Sequence, residues 1–203
     1  MAKKKAQVSV EQSAESAESK IAAAITDFLG NIPTTKVRKS SEPELHAEEM
    51  TSVAARQAAV RAGALALPPG PLGWLTILPE MIMVWRIQAQ LVADISALYG
   101  KKSTLTKEQM LYCLFKHSAA QALRDIITRV GERVLVKRAT LRVLQDVARK
   151  IGIRITQRVI GKGIGRWLPF IGAGAVAAYA YYDTTQVGKT ATEFFSQDIE
   201  VES

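Results

Sequence analysis

The sequence predicts an all-α protein: a single bundle-like domain of five or six helices, with apolar hairpins broken by Gly and Pro. Three observations lead to this prediction. Apolar residues recur at helical spacing along most of the chain, and no run of strand-type alternation is evident. Of the 203 residues, 48% are hydrophobic but only 6% are aromatic, which is typical of an Ala-rich helical protein.

The chain divides into three parts by composition. Residues 1–45 are predicted to be a flexible arm, disordered in its Lys-, Ser- and Glu-rich first part. One amphipathic helix is expected within the arm from Ser19, and a linker over residues 34–44. The helical domain is expected to cover residues 46–196, followed by an acidic, frayed tail over 197–203.

The stretch Gly63–Gly100 is expected to organise the domain. Between Gly63 and Trp85 its only ionisable residue is Glu80. Because a surface helix would show a polar face at every turn, this segment either lies at the centre of the core or meets lipid. The candidate apolar contacts of this hairpin are Trp74, Leu75 and Ile77.

Helix ends are predicted from capping signals. The central helix is expected to begin near Pro79, since proline is tolerated in a first turn, and to end at Gly100. Thr106 and Gln109 have the spacing of a capping box that starts a helix over about 107–130. After an interruption at Gly131, a long basic helix is expected to about residue 160.

The last helix is expected to start at Pro169, after a glycine-rich break over 161–165. The GKGIG sequence of that break lacks the P-loop pattern and has no preceding strand, so a helix break is favoured over a phosphate site. Gly172, Gly174 and Ala178 give the last helix a smooth face, which is expected to pack closely against another helix.

Two of these stretches carry a resemblance to a known family. They are LPEMIMVWRIQAQLVADISALYG, Leu78–Gly100, and LPFIGAGAVAAYAYYDTTQVGKTATEFF, Leu168–Phe195. Together, over roughly residues 50–195, they resemble the EcsC family of bacterial helical proteins. The resemblance implies an all-helical protein, cytoplasmic or associated with the membrane, without established catalytic residues.

Positive charge is concentrated in one part of the chain. The whole chain carries +8, whereas Arg124–Arg166 alone carries twelve Lys or Arg and three acids, a net of +9. Four-residue spacing places several of these side chains on one helix face, where they repel one another and favour an anionic partner. The candidate contacts with an anionic surface are Lys150, Arg154, Arg158, Lys162 and Arg166. A solvated or internally paired face is the alternative, and nucleic acid is disfavoured because no base-reading module is recognisable.

Catalytic and metal-binding residues are not predicted, and no cofactor is expected. His46 and His117 lack further ligands at metal-binding spacing. Cys113 and His117 share a helix face, but a buried structural cysteine is favoured over a nucleophile without an orienting third group. Glu80 and Asp94 are interpreted as a polar edge between helices rather than as an ion path.

The function expected from these features is non-enzymatic. The chain is predicted to be a bacterial, cytoplasmic protein, peripheral on the inner membrane, that associates with anionic lipid or a membrane-bound protein through its apolar hairpins and basic helix. The first alternative is a soluble scaffold that forms a homo-oligomer or binds a protein partner. A pore-forming effector is the third interpretation, and fractionation would separate the first two.

Overall fold

The computed structural model describes the backbone of residues 2–65, 73–130, 133–161 and 164–202, and the side chains of residues 15–16, 18–64, 81–129, 133–157 and 174–201. Within these residues the protein is mostly helical, so the predicted fold class is confirmed. The helices are α1 (Ala2–Gly30), α2 (Pro43–Leu65), α3 (Gly73–Leu98), α4 (Lys107–Ala119), α5 (Leu141–Gly161) and α6 (Ile164–Phe195). The strands are β1 (Ile127–Val130), β2 (Arg133–Lys137) and β3 (Asp198–Glu202).

Helix α3 lies at the centre of the core. It packs against α2, α4 and α6, and its described apolar residues from Val84 to Leu98 are almost all buried. Only Arg86 and Gln90 are exposed on the described part of this helix. Helix α3 ends before Gly100, whose φ of 73° is the left-handed conformation that glycine adopts without a steric penalty. The predicted end of the central helix is therefore confirmed.

Helix α1 packs against α5 and belongs to the folded domain in its described part. Ile21, Ile25 and Leu29 recur at helical spacing and are buried. The segment that follows is extended along α3: Ser40 N–H donates to the carbonyl of Leu98 at 3.0 Å, and the Gln90 side chain donates to the carbonyl of Thr34. The expected amphipathic helix and the linker after it thus contact the domain instead of forming a separate arm.

The helix predicted over residues 107–130 is wrong in its second half. The Thr106–Gln109 capping box is present, but α4 ends at Ala119 and a short 3-10 turn follows it. Strands β1 and β2 then form an antiparallel hairpin, in which Ile127 pairs with Val136. In β2, buried Val134 and Val136 alternate with exposed Arg133 and Lys137, the period of two that a strand requires.

The expectation of a frayed acidic tail is also wrong. Strand β3 pairs in parallel with β2, with Ile199 beside Val134 and packed against the core. Arg133 and Glu200 form an ion pair of 2.8 Å across this pairing. The Lys101 ammonium donates to the carbonyls of Phe195 and Gln197, and so satisfies carbonyls at the end of α6.

Two predicted helix starts also differ. Helix α3 begins at Gly73 and α6 at Ile164, so Pro79 and Pro169 lie inside their helices, where each proline lacks one backbone donor. Gly161, Ile164 and Gly165 are helical, and the rest of the predicted break between the last two helices lies outside the described residues.

Close helix packing occurs at a glycine other than the expected ones. A Cβ at Gly174 would meet no described atom within 4 Å and Ala178 is exposed, so the described residues show no close contact at these two positions. The side-chain environment of Gly172 lies outside the described residues. Instead, a Cβ at Gly188 would overlap the side chain of Thr51. This glycine therefore permits the close approach of α2 and α6.

Candidate functional site

Helix α5 presents one apolar face to the domain and one charged face to solvent. Leu144, Val147, Ala148 and Ile151 are buried at spacings of three and four residues. They contact the side of the molecule formed by α1 and α4. The opposite face carries Arg142 and, seven and eight residues later, Arg149 and Lys150, so these side chains project on the same side of the helix.

Every ionisable side chain between Arg133 and Gln157 is exposed. Seven are Lys or Arg and only Asp146 is acidic, a net of +6 over this segment. We define the α5 basic surface as five of these side chains: Arg138, Arg142, Arg149, Lys150 and Arg154. Each lies on α5 or immediately before it, and the helix holds them on a fixed support.

The α5 basic surface is only partly neutralised by the rest of the domain. Lys150 lies 3.7 Å from the carboxylate of Asp125, with both side chains more than half exposed. Arg154 donates to the side-chain oxygen of Gln121, which is neutral. Among the described carboxylates, none forms an ion pair with Arg138, Arg142 or Arg149. The field of these three guanidinium groups is therefore directed to solvent.

Two contacts fix the position of α5. The backbone N–H of Ala139 donates to the buried carboxylate of Glu108 at 2.9 Å, which ties the start of α5 to the first turn of α4. At Gly152 the backbone of α1 comes close, since a Cβ there would lie 2.9 Å from the Glu18 carbonyl oxygen. The surface is therefore anchored at both its beginning and its middle.

The residues predicted for anionic contact fall partly within this surface. Lys150 and Arg154 are exposed and one helical turn apart, as expected. The side chains of Arg158 and Arg166, and all of Lys162, lie outside the described residues. Arg138, Arg142 and Arg149 were not among the predicted contacts, although the periodicity of charge along 138–150 is a signal that would have found them.

The apolar hairpin is described only in part. Trp74, Leu75 and Ile77 belong to α3, but their side chains lie outside the described residues. The window Met81–Leu98 is long and apolar enough to cross a membrane by length and composition, and 67% of it is buried inside the domain. Because a core helix passes the same test, this window is weak evidence for a membrane span.

A largely buried polar cluster joins α3, α4 and α6. His117 Nε2 lies 2.7 Å from one carboxylate oxygen of Asp183, and Gln88 Nε2 donates to the other at 2.7 Å. Gln88 also donates to the hydroxyl of Thr184 at 3.2 Å. Asp183 is thus the orienting group that the sequence did not reveal for His117, since the two residues are 66 positions apart.

Cys113 does not supply an accessible nucleophile to this cluster. Cys113, one turn before His117 on α4, is fully buried. Burial raises the pKa of its thiol well above the ordinary value, so the thiolate that would attack a substrate is disfavoured. The predicted interpretation of Cys113 as a small buried side chain is confirmed.

The remaining candidates have local roles. His46 Nδ1 lies 2.8 Å from the hydroxyl of Ser40 and 2.9 Å from the carbonyl of Glu42, at the start of α2. Asp94 accepts a hydrogen bond from Gln90 at 2.9 Å, on the polar edge predicted for α3. Glu80 lies outside the described side chains. Among the described side chains, no group of three His, Cys, Asp or Glu is placed to hold a metal ion.

In comparisons with protein-family models, curated proteins and solved structures, no match to this chain is found. The resemblance to the EcsC family therefore stays a prediction.

Proposed function

We propose that the protein is a non-enzymatic binding protein that associates peripherally with an anionic membrane surface through the α5 basic surface. The observation that carries this proposal is that all seven Lys and Arg residues of 133–157 are exposed, against a single acid. Each basic side chain near an anionic leaflet contributes about 1 kcal/mol of attraction. Several guanidinium groups on one helix are thus enough for reversible binding.

The cost of leaving these charges unpaired supports the same proposal. Arg142 and Arg149 lie on the same side of one helix as Lys150, so they repel one another in the free protein. An anionic surface relieves this repulsion without any change in the fold. A cytoplasmic location at the inner membrane of a bacterium and a contribution from the apolar hairpin belong to the proposal as well, and rest on the sequence.

The test compares two variants with the same change in charge. In the first, Arg142, Arg149, Lys150 and Arg154 are all replaced by Glu. In the control, four exposed basic residues elsewhere, Arg56, Arg61, Lys102 and Lys189, are replaced by Glu. Binding to vesicles of phosphatidylcholine and phosphatidylserine is measured by co-sedimentation, and helix content by circular dichroism.

The proposal expects the α5 variant to lose vesicle binding and the control variant to retain most of it, with both folded. Equal losses would mean that only net charge matters, and would contradict a specific role for α5. Retained binding by the α5 variant would also overturn the proposal. Binding of wild-type protein to duplex DNA, with no binding to vesicles, would favour the nucleic-acid alternative.

A second candidate function is self-association as a scaffold. It is favoured by three aromatic side chains on α6 that are strongly exposed: Tyr179, Tyr181 and Tyr182. Tyrosines are enriched in protein interfaces because they combine a large apolar area with a hydroxyl group. Sedimentation equilibrium of wild-type protein and of a variant with Tyr179 and Tyr182 replaced by Ser tests this candidate, which expects an oligomer that the variant loses.

A further inference from the structure

The first turn of α5 carries two exposed apolar side chains next to the basic surface. Leu141 is 62% exposed and Val143 is 39% exposed. They flank Arg142, and Arg138 lies just before them in the chain. Isolated exposed apolar residues are ordinary on protein surfaces. Here two of them lie beside uncompensated guanidinium groups, which is the combination found where a protein enters a bilayer surface.

The exposure of Leu141 shows that the first turn of α5 reaches past the part of the domain that covers this helix. Leu141 precedes Leu144 by three residues and Ala148 by seven, so it continues the apolar stripe that α5 buries against the core. Leu144 and Ala148 are buried, yet Leu141 is mostly exposed. The apolar face of α5 is therefore longer than the part of the domain that covers it.

Three backbone donors at this turn already have protein partners. The N–H of Val143 donates to the hydroxyl of Thr140 at 3.4 Å, and the N–H of Leu144 donates to the carbonyl of Thr140 at 3.0 Å. The N–H of Ala139 is bound by Glu108. Moving this turn into a less polar medium leaves these three donors satisfied, which lowers the cost of insertion.

We propose that the first turn of α5 meets an anionic bilayer end-on: Leu141 and Val143 insert into the boundary between headgroups and acyl chains, while Arg138 and Arg142 contact the lipid phosphates. This inference rests on the proposed function and adds a depth and an orientation to it. Charge complementarity selects the anionic leaflet as the partner. The long stems of the arginines allow their charged ends to stay at the phosphates while the helix turn lies deeper.

A fluorescent probe at position 141 tests the insertion directly. The single native cysteine, Cys113, is buried and held as a thiol, so a maleimide probe labels an introduced cysteine selectively. An environment-sensitive dye is placed by Leu141→Cys and, as the matched control, by Ser103→Cys at another exposed position. With vesicles containing phosphatidylserine, the dye at 141 is expected to shift to shorter wavelength and to be quenched by nitroxide-labelled lipid. The dye at 103 is expected to do neither.

A second variant measures the contribution of the two side chains without a dye. Replacing Leu141 and Val143 by Ser, at exposed positions, is expected to preserve the fold and to weaken vesicle binding about tenfold, because less apolar area is buried at the membrane. The weakened binding should stay salt-dependent, since the arginines remain.

The outcomes separate this inference from the proposed function. If the affinity of the Ser variant is unchanged and the dye at 141 shows no spectral shift, insertion is overturned. Salt-dependent binding of the wild-type protein would then still support the peripheral contact. Absence of wild-type binding to phosphatidylserine vesicles at low salt would overturn both. A spectral shift of equal size with pure phosphatidylcholine vesicles would contradict the role of the anionic headgroups.

Discussion

Gly188 and Gly174 differ in what surrounds them, although both are helical glycines of α6. A Cβ at Gly188 would overlap the side chain of Thr51, whereas a Cβ at Gly174 would meet no described atom within 4 Å. Gly188→Ala should destabilise the protein by about 1–3 kcal/mol through overpacking. Gly174→Ala should be neutral or stabilise by up to about 1 kcal/mol through helix propensity. Urea denaturation measures both, and equal effects would contradict the close contact of α2 and α6.

Asp183 holds two donors from two other helices, His117 on α4 and Gln88 on α3. Asp183→Ala would leave His117 Nε2 without an acceptor and Gln88 Nε2 with only the Thr184 hydroxyl, at a cost of about 1–3 kcal/mol in this largely buried site. Asp183→Asn keeps one acceptor oxygen and should cost less. Asp146→Ala on the exposed face of α5 is the control and should change the free energy of unfolding little. A similar effect of all three substitutions would show that the cluster does not stabilise the fold.

Glu193 links α6 to two basic side chains, Arg129 at 2.8 Å and Lys116 at 3.0 Å. The hydrogen bond from Arg129, and then that from Lys116, lowers the pKa of this carboxyl below its ordinary value of 4.5. The stability that it contributes is therefore present above pH 4.5 and is lost as the pH falls through the lower folded pKa.

Glu193→Gln should remove the contribution of Glu193 to the loss of stability at acid pH. Half of the Glu193 side chain is exposed, so solvent screening limits the effect to roughly 0.2–1 kcal/mol. Denaturation midpoints of wild-type protein and the variant are compared at neutral pH and at pH values below 4.5. The two curves should converge on acidification, and a constant difference between them would contradict the pKa shift.

Among the secondary-structure elements, β3 differs most from what its sequence predicts. DIEVE alternates acids with Ile199 and Val201, so a strand signal of period two is present in these five residues. It could not be recognised as a strand from local pattern alone, because its partner β2 lies 65 positions earlier, as in the pairing of Arg133 with Asp198. Net acidity in a terminal segment also favours the interpretation of a frayed tail.

Deletion of residues 198–203 tests whether β3 belongs to the fold. The deletion removes the parallel pairing with β2 and the packing of Ile199, and should lower the thermal midpoint by several degrees. Replacing Glu200 alone by Gln, which removes only the exposed ion pair with Arg133, should have little effect. An unchanged midpoint after the deletion would show that the tail is frayed.

The hairpin β1–β2 is hard to predict from the sequence for a related reason. Gly131 is typical of an interruption between two helices, and the apolar residues around it fit both the helical and the strand period over so short a distance. The buried pair Val134 and Val136, with exposed residues on each side, is the local evidence for a strand. By contrast, α3 was predictable because its apolar run is long and its end at Gly100 has clear capping chemistry.

For the whole molecule, the charge distribution was predictable and the spatial clusters were not. Counting Lys and Arg locates the basic segment, and helical periodicity places Arg142, Arg149 and Lys150 on one side of α5. The cluster of Gln88, His117 and Asp183 brings together three helices far apart in sequence. Helix packing brings these three side chains together, so the local sequence pattern around each of them carries no signal of the cluster.

The measurement that tests the central claim most directly is binding of the wild-type protein to vesicles as a function of anionic lipid content and salt. The α5 basic surface predicts a bound fraction that rises with phosphatidylserine content at low salt. Binding should fall steeply between about 0.01 and 0.15 M salt, because the Debye length shrinks from about 30 Å to about 8 Å. No binding to phosphatidylserine vesicles at low salt, or equal and salt-independent binding to neutral vesicles, would contradict the account.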